Sequence, residues 1–382
     1  MALTWIEAVK MVAMWALGGV LIYLAIKKEM EPALLLPMGF GAILVNLPLS
    51  GVLDVIEKSS GKVLEPGVLD VLFKAGISNE LLPLLLFIGI GAMCDFGPLL
   101  VNPKLMLFGA AAQFGIFVTI VLACGINAIF PGMFTLQDAA ATGIIGAADG
   151  PTSIFVANYY NTPYIGAILV AAYSYMALVP IIQPPCIRLI TTKKERLIRM
   201  PYGTNQVKQS TKIIFPIVVT IVAGLVAPKS VGLVGFLMFG NLIRECGVLG
   251  SLSETAQNAL ANLITILLGI TVAVKMQAEY FLTWQTAAIM LLGLFAFVFD
   301  TFGGVMLAKF INLFAKNKIN PMIGACGISA FPMSSRVVHK MGLAEDPHNF
   351  LLMHAAGVNV SGQIASVIAG GLVVKFVDMI IK

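Results

Sequence analysis

"GAADGPTSIF", residues 146–155, sets an aspartate ahead of a Gly-Pro pair in the middle of an apolar run. The segment 137–158 around it cannot be one plain helix. Gly150 and Pro151 weaken a helix interior by about 1 and about 3 kcal/mol, and proline biases the residue before it away from the α region. The expected outcome is a helix ending near Ala148, a break at Asp149-Gly150, and a second short helix with Pro151 in its first turn. A helix that ends leaves carbonyls unpaired and partly negative. Together with the Asp149 carboxylate and the Thr152 and Ser153 hydroxyls, those carbonyls form a cluster of oxygens, the ligand type that hard cations take. The plainer reading of Asp149 is a helix cap at a membrane surface. An ion site is preferred, because a charge inside a membrane is costly and normally functional.

The rest of the chain explains why a membrane enters the argument. Of its 382 residues 59% are hydrophobic and 11% charged, against about 25% charged in a soluble domain. One soluble domain could not bury so much apolar surface, so the excess faces lipid in an all-α polytopic membrane protein. The net charge of +5 matters less than its placement. Arg188, Lys193, Lys194, Arg196, Arg199, Lys208 and Lys212 stand against the single acid Glu195 within 187–212. The positive-inside rule puts that loop in the cytoplasm, and its position between spans argues against nucleic acid as a partner. Cys94, Cys124, Cys186, Cys246 and Cys326 show no metal or disulfide spacing and read mostly as small hydrophobes. The run Met11–Ile26 has no cleavage site after it and is followed by Lys27-Lys28, so it reads as a first membrane helix, not a signal peptide.

Apolar segments fall at 11–27, 32–49, 80–101, 104–130, 137–158 and 163–185, and again at 213–228, 231–249, 258–275, 283–315, 319–333 and 349–374. Residues 1–186 and 213–382 therefore read as two membrane repeats joined by the basic linker 187–212. "LLLFIGIGA" (84–92) matches "TILLGITVA" (265–273), "FGIFVTI" (114–120) matches "FAFVFDT" (295–301), and "IIGAADGPTS" (144–153) matches "MIGACGISAF" (322–331), at offsets of 180, 181 and 178. Three matches in order at nearly one offset point to a duplication. The polar stretch 54–80 has no counterpart in the second half. Repeats with matching interrupted segments indicate a transport site near the midplane. If each interrupted segment turns back, each half crosses an odd number of times and the repeats are inverted.

The second interruption lies in "NKINPMIGACGISAFPMSSR". Asn320 precedes Pro321, Gly324 and Gly327 weaken the helix, and Pro332 is expected to end it. Asn320, Ser329, Ser334, Ser335 and Arg336 are its polar groups. Broken backbone at membrane depth survives only against protein or a water-filled cavity, so two breaks suggest one shared cavity. In the last span Asn359, Gln363 and Ser366 make a polar stripe at i, i+4 and i+7, with Ser361 nearby. Helix–helix hydrogen bonding would explain it; cavity lining with neutral oxygens for a monovalent cation is preferred. Tyr173 and Tyr175 are belt residues or a proton donor near the site. Asp95 and Lys275 are expected to snorkel, and Asp300 to serve coupling or helix contact. His339, His348 and His354 share no ligand spacing, and two of them fall in or beside a polar loop expected over 334–350.

At "GAADGPTSIF", "NPMIGACGISAFPMSSRVV" and "NFLLMHAAGVNVSG" the chain resembles the beta subunit of the sodium-translocating biotin-dependent decarboxylases. The resemblance implies a subunit that decarboxylates carboxybiotin, consumes a proton and exports Na+ across the cytoplasmic membrane. It implies partners as well: an alpha carboxyltransferase, a biotin carrier protein and a small gamma or delta membrane subunit, around a beta homotrimer similar to elevator-type transporters. By the same resemblance the sodium-site aspartate falls on Asp149, the asparagines on Asn320 and Asn359, and the motif's glycine, serine and arginine on Gly324, Ser329 and Arg336. The proton-linked tyrosine falls on Tyr175, with Tyr173 as second choice. Where longer members have Gly-Pro-Asn, this chain has Gly357-Val358-Asn359, which changes the local bend but not the asparagine. Arg336, always charged, suits a carboxylate. The alternative from another class is a secondary transporter, a sodium-coupled carboxylate symporter or a cation/proton antiporter; a channel suits paired breaks less well.

Overall fold

The computed structural model describes residues 4–57, 63–201 and 207–381. Apart from a two-stranded antiparallel ribbon, Val55–Ile56 with Val63–Glu65, the described chain is helical. Seven helices are long and apolar enough to cross a membrane, or eight if the pair Val68–Gly76 and Leu81–Met93, bent by 60°, counts as one span. The chain is a multi-pass membrane protein.

Local chemistry fixes several helix starts. Thr4 opens Trp5–Lys27 with a capping box, its backbone N–H donating to Glu7 Oε2 at 2.8 Å and its hydroxyl accepting from the Glu7 N–H at 3.3 Å. Thr283 caps the 31-residue helix Trp284–Phe314 by accepting from the Thr286 N–H. The helix then continues to Phe314 through a mostly apolar run that carries Asp300 and Lys309, long and apolar enough to cross a membrane.

The packing exchanges elements between the halves. Trp5–Lys27 and Pro32–Val45 form a hairpin, as do Gln209–Val226 and Val231–Glu245. Leu81–Met93 lies on Val231–Glu245, while Ala261–Val272 lies on Pro32–Val45. Together these helices make one wall. Opposite them Trp284–Phe314 gathers Phe114–Ile129, Ile165–Ile190 and both interrupted segments, and the last helix, Leu352–Ile381, crosses Met106–Ala112 and both interruptions.

The polar region has a structure of its own, and two further stretches fold differently from expectation. The polar region 54–80 forms the ribbon and the helix Val68–Gly76, tied by Lys74 Nζ to Asp54 Oδ2 at 2.5 Å. The expected loop from 334 onward is instead the helix Met333–Glu345. Its buried face, Ser334, Ser335, Val337, Val338 and Met341, follows helical spacing, but two serines in that stripe hide it from an apolar count. The second interruption also ends earlier than Pro332: its tight 3₁₀ turn runs Pro321–Gly327, and Pro332 occupies the N-cap of the following helix.

The basic linker is docked, not loose, over its described residues, which exclude 202–206. Arg196 Nε meets Glu345 Oε1 at 2.6 Å, Arg199 Nε meets Asp346 Oδ2 at 2.6 Å, and Lys309 Nζ meets Glu195 Oε1 at 3.2 Å. Asp95 lies 4.0 Å from Arg244, and exposed Lys275 rests over the Phe73 ring at 4.9 Å.

Candidate functional site

The first interruption has the form its Gly-Pro pair dictates. The helix Leu136–Gly143 tightens into a 3₁₀ turn, Ile144–Ala147, and stops at Ala148, which takes the left-handed conformation (φ 53°, ψ 39°). A non-glycine residue held there stores about 1–3 kcal/mol of strain, typical of functional turns. Asp149 is extended and stands at the N-cap of Gly150–Tyr159, where a carboxylate meets the positive end of the helix dipole. Thr152 Oγ1 donates to Asp149 Oδ2 at 2.5 Å, Ser153 Oγ donates to the Asp149 carbonyl at 2.9 Å, and Ser366 Oγ reaches Asp149 Oδ2 at 3.3 Å.

The second interruption meets the first directly. The Ser329 N–H donates to the Ala147 carbonyl at 3.3 Å. The last helix holds both. Asn359 Nδ2 donates to the carbonyls of Cys326 (3.2 Å) and Ile328 (2.7 Å), Gln363 Nε2 donates to the Ser329 carbonyl, and Ser329 Oγ donates to the Gly362 carbonyl at 2.9 Å. Asn359 Oδ1 is buried without a hydrogen-bond partner. The stripe of Asn359, Gln363 and Ser366 therefore faces the two breaks.

A cavity of about 220 Å3 opens beside this junction. Asp149, Gly150, Tyr173, Ser329 and Gln363 line one side, and Glu31, Leu34, Ile90 and Asn262 line the other. The space lies between the two walls of the molecule, so its shape depends on how they sit together.

Not every residue singled out from the sequence reaches this space. Asp149, Tyr173, Ser329 and Gln363 do; Thr152 is one hydrogen bond away, and Ser153 is turned to the backbone of Asp149. Tyr175, two residues along from Tyr173 and so on the far side of the helix, donates to the Met290 carbonyl at 2.5 Å and packs on Phe297. Tyr173 presses on Gly150, its hydroxyl buried and unpartnered. Asn320 is directed elsewhere: its Nδ2 donates to the Arg196 and Ile198 carbonyls, both at 2.9 Å, and its Oδ1 accepts from the Met322 N–H at 3.1 Å. Gly324 packs backbone to backbone against Gly304. Ser361 Oγ donates to Leu105 and Val358 carbonyls, away from the cavity. Arg336 is exposed, close enough to act electrostatically on Glu31 at the cavity wall.

Sequence reasoning missed Glu31, Asn262 and Gln257. Glu31 heads a helix of the opposite wall in a left-handed conformation (φ 37°). Gln257 lies in a π-helical turn, Ala256–Leu260, and Asn262 follows it. Such turns are frequent at functional sites, but nothing in a single sequence marks this one.

The family model described as "Na+-transporting oxaloacetate decarboxylase beta subunit" matches residues 10–377. The chain is 50% identical over 377 residues to the methylmalonyl-CoA decarboxylase subunit beta of Propionigenium modestum, covering 95% of this chain and 94% of that one. It is 45% identical over 402 residues to the oxaloacetate decarboxylase beta chain 2 of Salmonella typhi (94% and 93% covered). The methylmalonyl-CoA decarboxylase subunit beta of Veillonella parvula is 49% identical over 354 residues, with 93% and 90% covered.

Proposed function

The chain belongs to the family of Na+-transporting oxaloacetate decarboxylase beta subunits, and on that premise we propose that the junction of its two broken segments is where Na+ binds and where decarboxylation is coupled to transport. The chain is a beta subunit of a Na+-transporting decarboxylase, and that name implies further subunits. The secondary-transporter alternative is thereby set aside. One observation carries the proposal: the Ser329–Ala147 hydrogen bond brings both breaks to one cavity beside Asp149.

The oxygens gathered there suit a monovalent cation. Asp149 supplies charge, and Ser329, Thr152, Ser366 and the unpartnered Asn359 Oδ1 supply neutral oxygens. Ends of broken helices serve such ions elsewhere in membrane transport. Asn320 and Gly324 act from outside the cavity, by fixing the turn that carries Ser329. Tyr173 is the phenol beside Asp149 and the better candidate for handling the proton; Tyr175 braces its helix.

The substrate is carboxybiotin carried on a partner subunit. Its carboxylate is stable in water and labile once desolvated and protonated. Exposed Arg336, beside Glu31 at the cavity wall, would receive that anion. In this reading the linker 187–212 is cytoplasmic, Na+ leaves across the cytoplasmic membrane, and the partners are an alpha carboxyltransferase, a biotin carrier and a small gamma or delta subunit around a beta trimer. The exchanged helix pairing supports two membrane repeats, 1–186 and 213–382, related by inversion, with elevator-like movement of the breaks against the opposite wall.

The test is radioactive Na+ uptake by vesicles containing the whole complex, started by adding the acid substrate. Asp149→Asn is expected to abolish uptake while the complex still assembles. Uptake that persists in this variant, or that needs no biotin, would sink the proposal.

A further inference from the structure

Among the described residues the buried acids are held by side-chain partners, with one exception. Asp138 accepts from Thr162 Oγ1 at 2.6 Å and from Thr135 Oγ1 at 2.7 Å. Glu245 faces Lys212 and Arg244, each at 3.5 Å. Asp300, inside Trp284–Phe314, has no exposed surface; no side chain bonds to either carboxylate oxygen, and only the Gly115 and Ile116 backbone amides are turned toward it, neither in a well-formed hydrogen bond.

Its surroundings are specific. The carboxylate is wedged between the first turn of Phe114–Ile129 and the 3₁₀ turn of the first interruption. A Cβ added at Gly115 would strike Asp300 Oδ1, and one at Gly146 would lie 2.8 Å from Oδ2. Helix N-termini favour negative charge, and the Gly115 and Ile116 amides of this one face the carboxylate, although the Ile116 N–H also donates to the Gln113 carbonyl at 3.2 Å. One turn along from Gly115 stands Thr119, and one turn back from Gly146 stands Thr142. Both are fully buried, and both hydroxyl oxygens lack partners. Three polar side chains on three elements that meet at these glycines are thus unsatisfied. Thr119 is also the repeat counterpart of Asp300, aligned by the match of 114–120 with 295–301.

No titratable group among the described residues answers this charge. Of those on the elements packed around the helix, Asp138 is bonded as above, Tyr175 donates to Met290, Tyr173 turns to Gly150, and Cys326 points to the Ser334 carbonyl. Cys124 and Arg188 are exposed, and Lys309, on the helix itself, reaches the Ile190 carbonyl and Glu195 at its far end. An isolated buried carboxylate is expensive to ionise without a partner, and an intramembrane acid marks an ion or proton path.

We propose that Asp300 takes up one monovalent cation, a proton or Na+, in each transport cycle, with the unpartnered hydroxyls of Thr119 and Thr142, each one turn from a glycine that Asp300 packs against, as the neutral oxygens of the same buried region. Its loading is felt at Asp149 because Gly146, against which the carboxylate packs, lies in the 3₁₀ turn Ile144–Ala147 that leads directly into Ala148 and Asp149. The inference rests on Asp149 as the transport site and adds a second cation-linked carboxylate behind it.

The experiment uses the reconstituted complex and measures Na+ uptake against Na+ concentration and against pH, for wild type, Asp300→Asn and Asp149→Asn. Asp300→Asn is expected to lower uptake without abolishing it. If the cation is Na+, half-saturating Na+ rises by about 10-fold or more and the concentration curve loses steepness. If it is a proton, the Na+ curve is kept and the pH profile moves. Unchanged Na+ and pH dependence overturns the proposal. Should the asparagine variant fail to assemble, Asp300→Ser, which crowds neither glycine, is read in the same two assays with the same criteria. Failure of the Asp149 reading is separate: it shows as normal uptake by Asp149→Asn.

Discussion

Tyr173 lies so close over Gly150 that a Cβ at the glycine would stand 2.5 Å from the phenol oxygen. The contact joins the helix Ile165–Ile190 to the residue after Asp149, and it sets Tyr173, the second choice by resemblance, against the first interruption while Tyr175 bonds to the Met290 carbonyl.

Tyr173→Phe is expected to fold normally, because the lost hydroxyl has no partner, and to reduce substrate-driven Na+ uptake at least about 100-fold, the lower range for a lost proton-transfer group. Tyr175→Phe loses one hydrogen bond to Met290, worth about 1 kcal/mol, and should lower thermal stability slightly while uptake continues. Uptake assays beside thermal unfolding in detergent separate the two; the opposite pattern would restore Tyr175.

Asn320→Ala removes the donor shared by the Arg196 and Ile198 carbonyls and the cap on Met322. Asn349 Nδ2 still donates to the Arg196 carbonyl at 2.9 Å, so the Ile198 carbonyl and the buried Met322 N–H are the groups left unpaired, and a stranded buried group costs about 1–3 kcal/mol. Trypsin should then cut faster at Arg196 and Arg199. If Asn320 were instead a direct ion ligand, added Na+ would protect the wild-type linker and not the variant's; equal protection in both is the expected result.

Gly324→Ala forces a methyl group into the Gly304 backbone and to 2.9 Å from the Val305 nitrogen. Overpacking of this kind costs about 1–3 kcal/mol, and a melting temperature below wild type should show it. Gly19→Ala is the contrast. Nothing lies within 4 Å of its added Cβ, and in a helix interior alanine gains about 0.5–1 kcal/mol over glycine.

The linker should also release with acid. The Arg199 guanidinium, at 2.6 Å, and the His348 N–H, at 3.0 Å, hold the Asp346 carboxyl below its ordinary value. A carboxyl depressed in the folded state stabilises it above the unfolded value, and that contribution disappears as pH falls through the folded value. Hydrogen–deuterium exchange of the linker amides around Arg196 should therefore rise above its intrinsic pH trend once pH drops below the usual carboxylate range. Arg199→Ala should show raised exchange already at neutral pH and a weaker acid step.

The sequence disclosed the first interruption almost residue by residue, because Gly150 and Pro151 act through local backbone chemistry. The second was visible as an interruption but not in its extent, since no Gly-Pro pair fixes its end and the serines of Met333–Glu345 mask an amphipathic helix. Asp149, Ser329 and Gln363 were legible for a shared reason: each is a polar group in a stretch with no business being polar. Glu31 and Asn262 were not, because they join the cavity through packing between walls far apart in sequence. Choosing between Tyr173 and Tyr175 needed the rotation of one helix, which apolar neighbours on every side leave undetermined. Asn320 looked like an ion ligand by resemblance, whereas its contacts run to a linker whose docking no local pattern announces.

The last helix grips the second interruption through Asn359, Gly362 and Gln363 and the first through Ser366. It is a splint fastened to two fractures, and neither can shift far without carrying the other along the same rod. A geneticist hunting second-site suppressors of a lesion in either interruption should therefore look on this rod, between residues 359 and 366, before searching the opposite break.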